Sequence, residues 1–133
     1  MLAVSPAVRN YSRIVEIIDA ETHIVTEYQA SYSRISSGGH FTTAELAYIS
    51  KVYATLFAKS LTCIDELTMV VTAGELRMSD AERLKAIDDI HTDITGQLGM
   101  LRSFDMNSSM QELQRARTAA DITTLKNIYG IPN

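Results

Sequence analysis

Apolar residues recur every three or four positions along most of this chain, the period that lines one side of an α-helix. The first row is Tyr11, Ile14, Ile18, Val25, Tyr28, Tyr32 and Ile35, broken only by Glu21. The second is Leu46, Ile49, Tyr53, Leu56, Cys63, Leu67 and Val70, with Ser60 as its small polar member. Val52, Phe57, Ile64 and Val71 widen that stripe, so this helix is expected to be covered on more than one side. The third row is Leu84, Ile87, His91, Ile94, Leu98 and Leu101. His91 stands seven residues from both Leu84 and Leu98, so it should point into the same seam and be mostly buried.

Local punctuation agrees with these rows. Ser5 before Pro6 reads as an N-cap and first helical position, because proline lacks an N–H that a helix start leaves unpaired anyway. Two serines and two glycines at positions 36–39 predict a loop. Thr42 with Glu45, and Ser79 with Glu82, are capping boxes in which each side chain satisfies an exposed backbone N–H of the other residue. Residues 105–108 predict a break, followed by a weaker helical stretch with Asp121 as a cap, ending at Leu125, Ile128 and Tyr129. Gly130 and Pro132 then supply a helix stop. Gly96 and Gly99 either permit a close helix approach or mark fraying, since each costs a helix interior roughly 1 kcal/mol.

The expectation is an all-α fold in one domain, 1–133. It is an elongated antiparallel three-helix bundle with a shorter C-terminal helical segment, the helices spanning about 6–36, 43–73, 80–104 and, more weakly, 109–129. At 1.5 Å per residue the first two helices would each be roughly 45 Å long.

Composition narrows the function classes. The 133 residues are 46% hydrophobic, enough for one core without a disulfide or metal staple. With 16 acidic and 12 basic residues the net charge is -4, so no overall positive field draws nucleic acid, and direct nucleic-acid binding is not expected. No run of about 18 apolar residues occurs, and Arg9, Arg13, Glu16, Asp19 and Glu21 interrupt any secretory core, so neither a membrane span nor an export signal is expected. The single Cys63 excludes a disulfide scaffold and leaves the redox compartment open.

The candidates for chemistry are few. Asp88 and His91, three apart with Asp93 close by, have the spacing of half a bundle metal site. Such a site needs the motif twice and further glutamates, whereas His23 and His40 carry no matching set, and His23 with Glu27 reads as a solvated face. Cys63 on its apolar stripe reads as a small buried hydrophobe. No nucleophile elbow occurs, and residues 36–40 lack the lysine of a phosphate loop. Tyr11, Tyr28, Tyr32, Tyr48, Tyr53 and Tyr129 suit seam packing with the hydroxyl at the edge, and less often a contact surface. Arg115, Arg117 and Lys126, beside Asp121, form the only local basic cluster and read as a solvated helix face. Catalytic residues, metal ligands and cofactors are therefore expected to be none.

Three strings resemble one family. Met78, Ser79, Asp80, Ala81, Glu82, Arg83 and Leu84, then Arg115, Ala116 and Arg117, then Ile128, Tyr129 and Gly130, follow the order and spacing of conjugal transfer proteins encoded by conjugative transposons. That family is distantly similar to TrbJ-like minor pilus components of type IV secretion. The resemblance runs from about Thr43 to Asn133 and is loose over the first helix. It implies a non-enzymatic part of a DNA-transfer apparatus in the cell envelope, with other transfer-apparatus proteins as partners and no catalytic residues to carry over. Members begin with a secretory signal and a further helical segment that this sequence lacks, which marks Met1 as the start of a truncated or shortened relative. The alternative from the residues alone is a cytoplasmic helical adaptor that binds a protein partner through a helix face.

Overall fold

The computed structural model describes residues 4–72, 74 and 77–132. Four helices follow in order: α1 (Pro6–Arg9), α2 (Ser12–Ser37), α3 (Thr43–Val71) and α4 (Asp80–Ile128), with no strand among the described residues. The three long helices pack together, every pair in contact, while α1 lies against α4. Residue 73, the expected end of the second helix, lies outside the described residues.

The starts follow the capping chemistry read from the sequence. Ser5 accepts the Val8 N–H, and both capping boxes are closed, Thr42 with Glu45 and Ser79 with Glu82. At the far end, Tyr129 leaves the helix and Gly130 takes φ +68°. The Ile131 N–H then reaches back to the Lys126 carbonyl at 2.8 Å, which satisfies a carbonyl that the helix end would otherwise leave open.

Three boundaries differ from the sequence reading. The first helix is not continuous from residue 6: it stops at Arg9 and restarts at Ser12, with Tyr11 extended. Extending Tyr11 lets its hydroxyl donate to Asp88 Oδ1 at 2.5 Å, while Val8 is fully buried. Ser36 and Ser37 are helical rather than looped, their hydroxyls returned to the Ser33 carbonyl at 3.2 and 2.8 Å. The turn follows, with Gly39 at φ +74°. A Cβ at Gly38 would stand 2.7 Å from Glu112 Oε2, so any larger residue there would push the Glu112 carboxylate aside.

The largest difference lies at residues 105–108, where no break occurs and α4 runs unbroken for 49 residues. Asp105, Asn107 and Ser108 are poor helix formers, but tertiary contacts hold two of them. Asp105 accepts the Tyr53 hydroxyl and Ser108 is buried. Gly96 and Gly99 neither fray α4 nor allow a close approach, because nothing lies within 4 Å of a Cβ built at either.

The core is one cluster that runs along all three long helices. On α3 the buried row is the one the sequence shows: Ile49, Tyr53, Leu56, Ser60, Cys63, Leu67 and Val70. On α2 Ile35 is buried as the row expects, and Tyr11, Ile14, Tyr28 and Tyr32 pack against the core, but in the middle Ile17, Ala20 and Ile24 take the interior and leave Ile18 50% exposed. On α4 the buried line is Arg83, Ile87, Ile90, Ile94 and Leu101. Tyr53 sits at the centre, edge-on to Tyr32 and Phe104 with ring centroids 6.2 and 5.4 Å away, and tilted against Tyr28 at 5.9 Å.

Paired residues index the packing. From α3 to α4 the partner numbers fall: Glu45 meets Arg115, Tyr53 meets Asp105, Cys63 meets Gln97 and Val70 meets Arg83. From α2 to α4 they rise together: Glu16 meets His91, Glu27 meets Arg102 and Arg34 meets Glu112.

Two consequences are measurable by chemical denaturation. Ile94, fully buried, should cost about 2–5 kcal/mol on replacement by alanine, through lost burial and the cavity left behind. Gly96→Ala and Gly99→Ala should each stabilise the protein by about 0.5–1 kcal/mol, since a Cβ meets nothing and the unfolded chain loses freedom.

Candidate functional site

The residues considered as metal ligands do not converge. Asp88 is engaged by Tyr11 at 2.5 Å and by Arg13 at 3.5 Å, on the side facing α1 and α2. His91 Nε2 stands 3.6 Å from Glu16 Oε2, and its side chain is 21% exposed, so it occupies the edge of the seam rather than its interior. Asp93 is exposed and belongs to a different surface, the wall of a cleft between α3 and α4. Among the described residues no group of three histidine, cysteine or acidic side chains is placed to hold a metal ion. His23 pairs loosely with Glu27 at 3.5 Å, and Glu27 is held by two guanidinium nitrogens of Arg102, Nε and Nη2, at 3.0 and 2.8 Å, which lowers its carboxyl below the usual range.

A polar layer crosses the core instead. Glu21, the residue that interrupts the first apolar row, turns both carboxylate oxygens into the interior, where neither accepts a hydrogen bond. Burial pushes its carboxyl up; the nearby Ser60 hydroxyl opposes this but is committed to the Phe57 carbonyl at 2.7 Å. On α4, Gln97 extends its amide N–H toward Cys63 Sγ at 3.6 Å and keeps its own carbonyl oxygen buried without a donor. Burial likewise raises the Cys63 thiol, so it is a poor nucleophile.

Arg115 is not the solvated residue that its basic neighbours suggest. It grips Glu45 with two nitrogens at 2.8 and 2.7 Å, donates to the His40 carbonyl at 2.8 Å and lies 4.9 Å above the Phe41 ring. Glu45 therefore closes a helix cap and an ion pair at once. The guanidinium, with the Thr42 backbone N–H, holds its carboxyl down at about 2. This clasp marks where α4 leaves the body, since residues 117–125 are all exposed. The resulting arm bears Ile122, Leu125, Ile128 and Tyr129, which are 49%, 54%, 69% and 75% exposed. Of the six tyrosines, Tyr129 and Tyr48 are the two that lie open.

At the opposite end of α3, Met69, Val70, Met78, Ala86 and Ile90 floor an open cleft of about 350 Å³, with Glu66, Asp89 and Asp93 at its rim. Asp89 is paired with Lys85 at 3.1 Å, while Glu66 and Asp93 have no ion-pair partner among the described residues. The periodicity of α3 and α4 does not single this cleft out, because Met69 and Glu66 lie beside the buried row rather than on it. The charge run does: residues 65–93 hold eight acidic against three basic side chains.

Two titrations check this description. Because Glu21 titrates higher folded than unfolded, the native chain binds the extra proton, and stability falls as pH rises from the ordinary carboxylate range through the raised value. Glu21→Gln removes the buried charge but keeps a polar side chain, so it should flatten that fall and stabilise the protein at pH 7; urea unfolding between pH 4 and 8 measures both. Glu45 has the opposite sign: its contribution is present above the ordinary carboxylate range and is lost as pH falls toward about 2. In Arg115→Ala the Glu45 carboxyl should titrate nearer the ordinary range, which NMR resolves directly. Comparison of the chain with protein-family models, with curated proteins and with solved structures gives no match.

Proposed function

We propose that this protein is a non-enzymatic assembly component, an up-down-up three-helix body with antiparallel neighbours that works through helix-face contacts. The bundle reading is supported by the pairing order, in which numbers fall between α3 and α4 and rise together between α2 and α4. The observation that carries the assembly reading is the arm: a helix that projects apolar side chains away from its own core presents them for contact. Glu27, Glu45, Arg102 and Arg115 are engaged in ion pairs between helices. No helix among the described residues is long and apolar enough to cross a membrane.

The apparatus is assigned on the three strings alone. All three stand at structural positions that an assembly protein would need. The first, with Ser79 and Glu82, caps α4; the second holds the Arg115 clasp from which the arm leaves; the third closes the arm at Gly130. On that basis the protein serves a conjugative, type IV DNA-transfer machine at the cell envelope, with other transfer proteins as partners.

The test is a tagged full-length protein in donor cells. Recovery of transfer-channel subunits, with a mating defect on deletion of the gene that complementation repairs, is the expected result. Unchanged transfer frequency in the deletion strain would overturn the assignment, and a cytoplasmic location in fractionated cells would favour a helical adaptor.

A further inference from the structure

The buried line of α4 does not stop where the body stops. Ile87, Ile90, Ile94, Leu101 and Ser108 are spaced by three, four or seven residues, half-buried Arg115 follows seven further on, and Thr118 or Ala119, Ile122, Leu125 and Tyr129 continue the line into the arm. A core face that outruns its own partners calls for another surface of helix-groove shape. The open cleft between α3 and α4 supplies an apolar surface for such a face, with methionine and aliphatic residues on its floor.

Charge selects between this cleft and other surfaces. The arm carries Arg117 and Lys126 with one acid, Asp121, and Lys126 lies four residues from Ile122 on the flank of the stripe. The cleft rim offers Glu66 and Asp93, whose carboxylates lack ion-pair partners among the described residues. An arm meeting another arm would set apolar stripe on apolar stripe but would leave both rims unanswered. The arm cannot fold back, because it points away from the end of α3 that bears the cleft: Arg115 is clasped near the start of α3, at Glu45, and Val70 stands at the other end.

We infer that the α4 arm of one copy of this chain docks, through Ile122, Leu125 and Tyr129 flanked by Lys126 and Arg117, into the acid-rimmed cleft between α3 and α4 of a second copy. The contact joins different surfaces on the two molecules, so it is head-to-tail and leaves a free arm and a free cleft after each addition. Copies add in a row, and the row closes only if the rotation per copy happens to make a ring. This rests on the assembly reading for its motive but not for its chemistry.

Sedimentation of the purified full-length chain tests it. Mass should rise with concentration beyond the dimer and fall with salt, because rim charges are screened. Ile122→Asp with Leu125→Asp removes the arm's contact, and Glu66→Lys with Asp93→Lys removes the cleft's; all four residues are exposed, and circular dichroism checks that each variant stays folded. Either double variant alone should be monomeric, and the two mixed should give a dimer and nothing larger, since one good arm and one good cleft remain. Arg117→Glu with Lys126→Glu should weaken association by about tenfold or more, and combining it with the Glu66→Lys, Asp93→Lys chain should restore it. Met106→Glu with Met110→Glu, on the outward face of α4, should change nothing. The inference is overturned if the cleft variant still self-associates, if the mixed variants stay monomeric, or if the parent is monomeric at every concentration, whether or not its arm binds anionic lipid vesicles. None of these results bears on recovery of transfer subunits from donor cells, so the two proposals fail separately.

Discussion

The hydroxyl of Tyr53 donating to Asp105 is the contact on which the shape of this molecule turns. Tyr53 is closed in by Tyr32, Phe104 and Tyr28, and its phenol is pushed up by burial first and by the Asp105 carboxylate second, so it stays a donor. That bond, with the burial of Ser108, keeps α4 helical through the stretch where its own residues favour a turn. A helix interrupted there would not have fixed the direction of the residues that follow. Continuous, it carries Arg115 to Glu45 and then leaves the body with its apolar line still running.

How much of this was legible in the sequence follows from the range of the interactions involved. Both capping boxes and the Gly130 stop are local, and were readable from a few consecutive residues. The α3 row was readable because its apolar side chains follow one period for seven turns. The α2 row holds at Ile14, Tyr28, Tyr32 and Ile35 and misses at two points, since Ile17 and Ile18, and Ile24 and Val25, are adjacent pairs that fit either phase; only contact with α3 and α4 decides which member goes inside. The break expected at 105–108 failed for the same reason: Asp105 is a poor helix residue judged alone and a good one opposite Tyr53, 52 positions away.

The binding surfaces were harder still. Arg115 looked like one of three basic residues, yet it faces Glu45 and Phe41, from a part of the chain about seventy residues earlier. Glu21 looked like a lapse in a pattern, and is a buried carboxylate because Ser60 and Gln97 come from other helices to form the rest of its layer. The acidic rim was visible as composition between residues 65 and 93, but composition does not say that Glu66 and Asp93 stand across one groove. Chemistry that depends on two helices meeting has no signature within either.

Cys63 gives the molecule a built-in clock. It is the only thiol in the chain, it lies inside the seam between α3 and α4, and its proton is held more tightly than in water. A thiol reagent can reach it only when that seam separates, so modification proceeds at the fraction of time spent open multiplied by the rate at which the exposed group reacts. The unaltered protein can thus report its own breathing. Anything that braces α3 against α4 from outside lengthens the interval between reactions, and does so without a dye, a tag or a change of sequence.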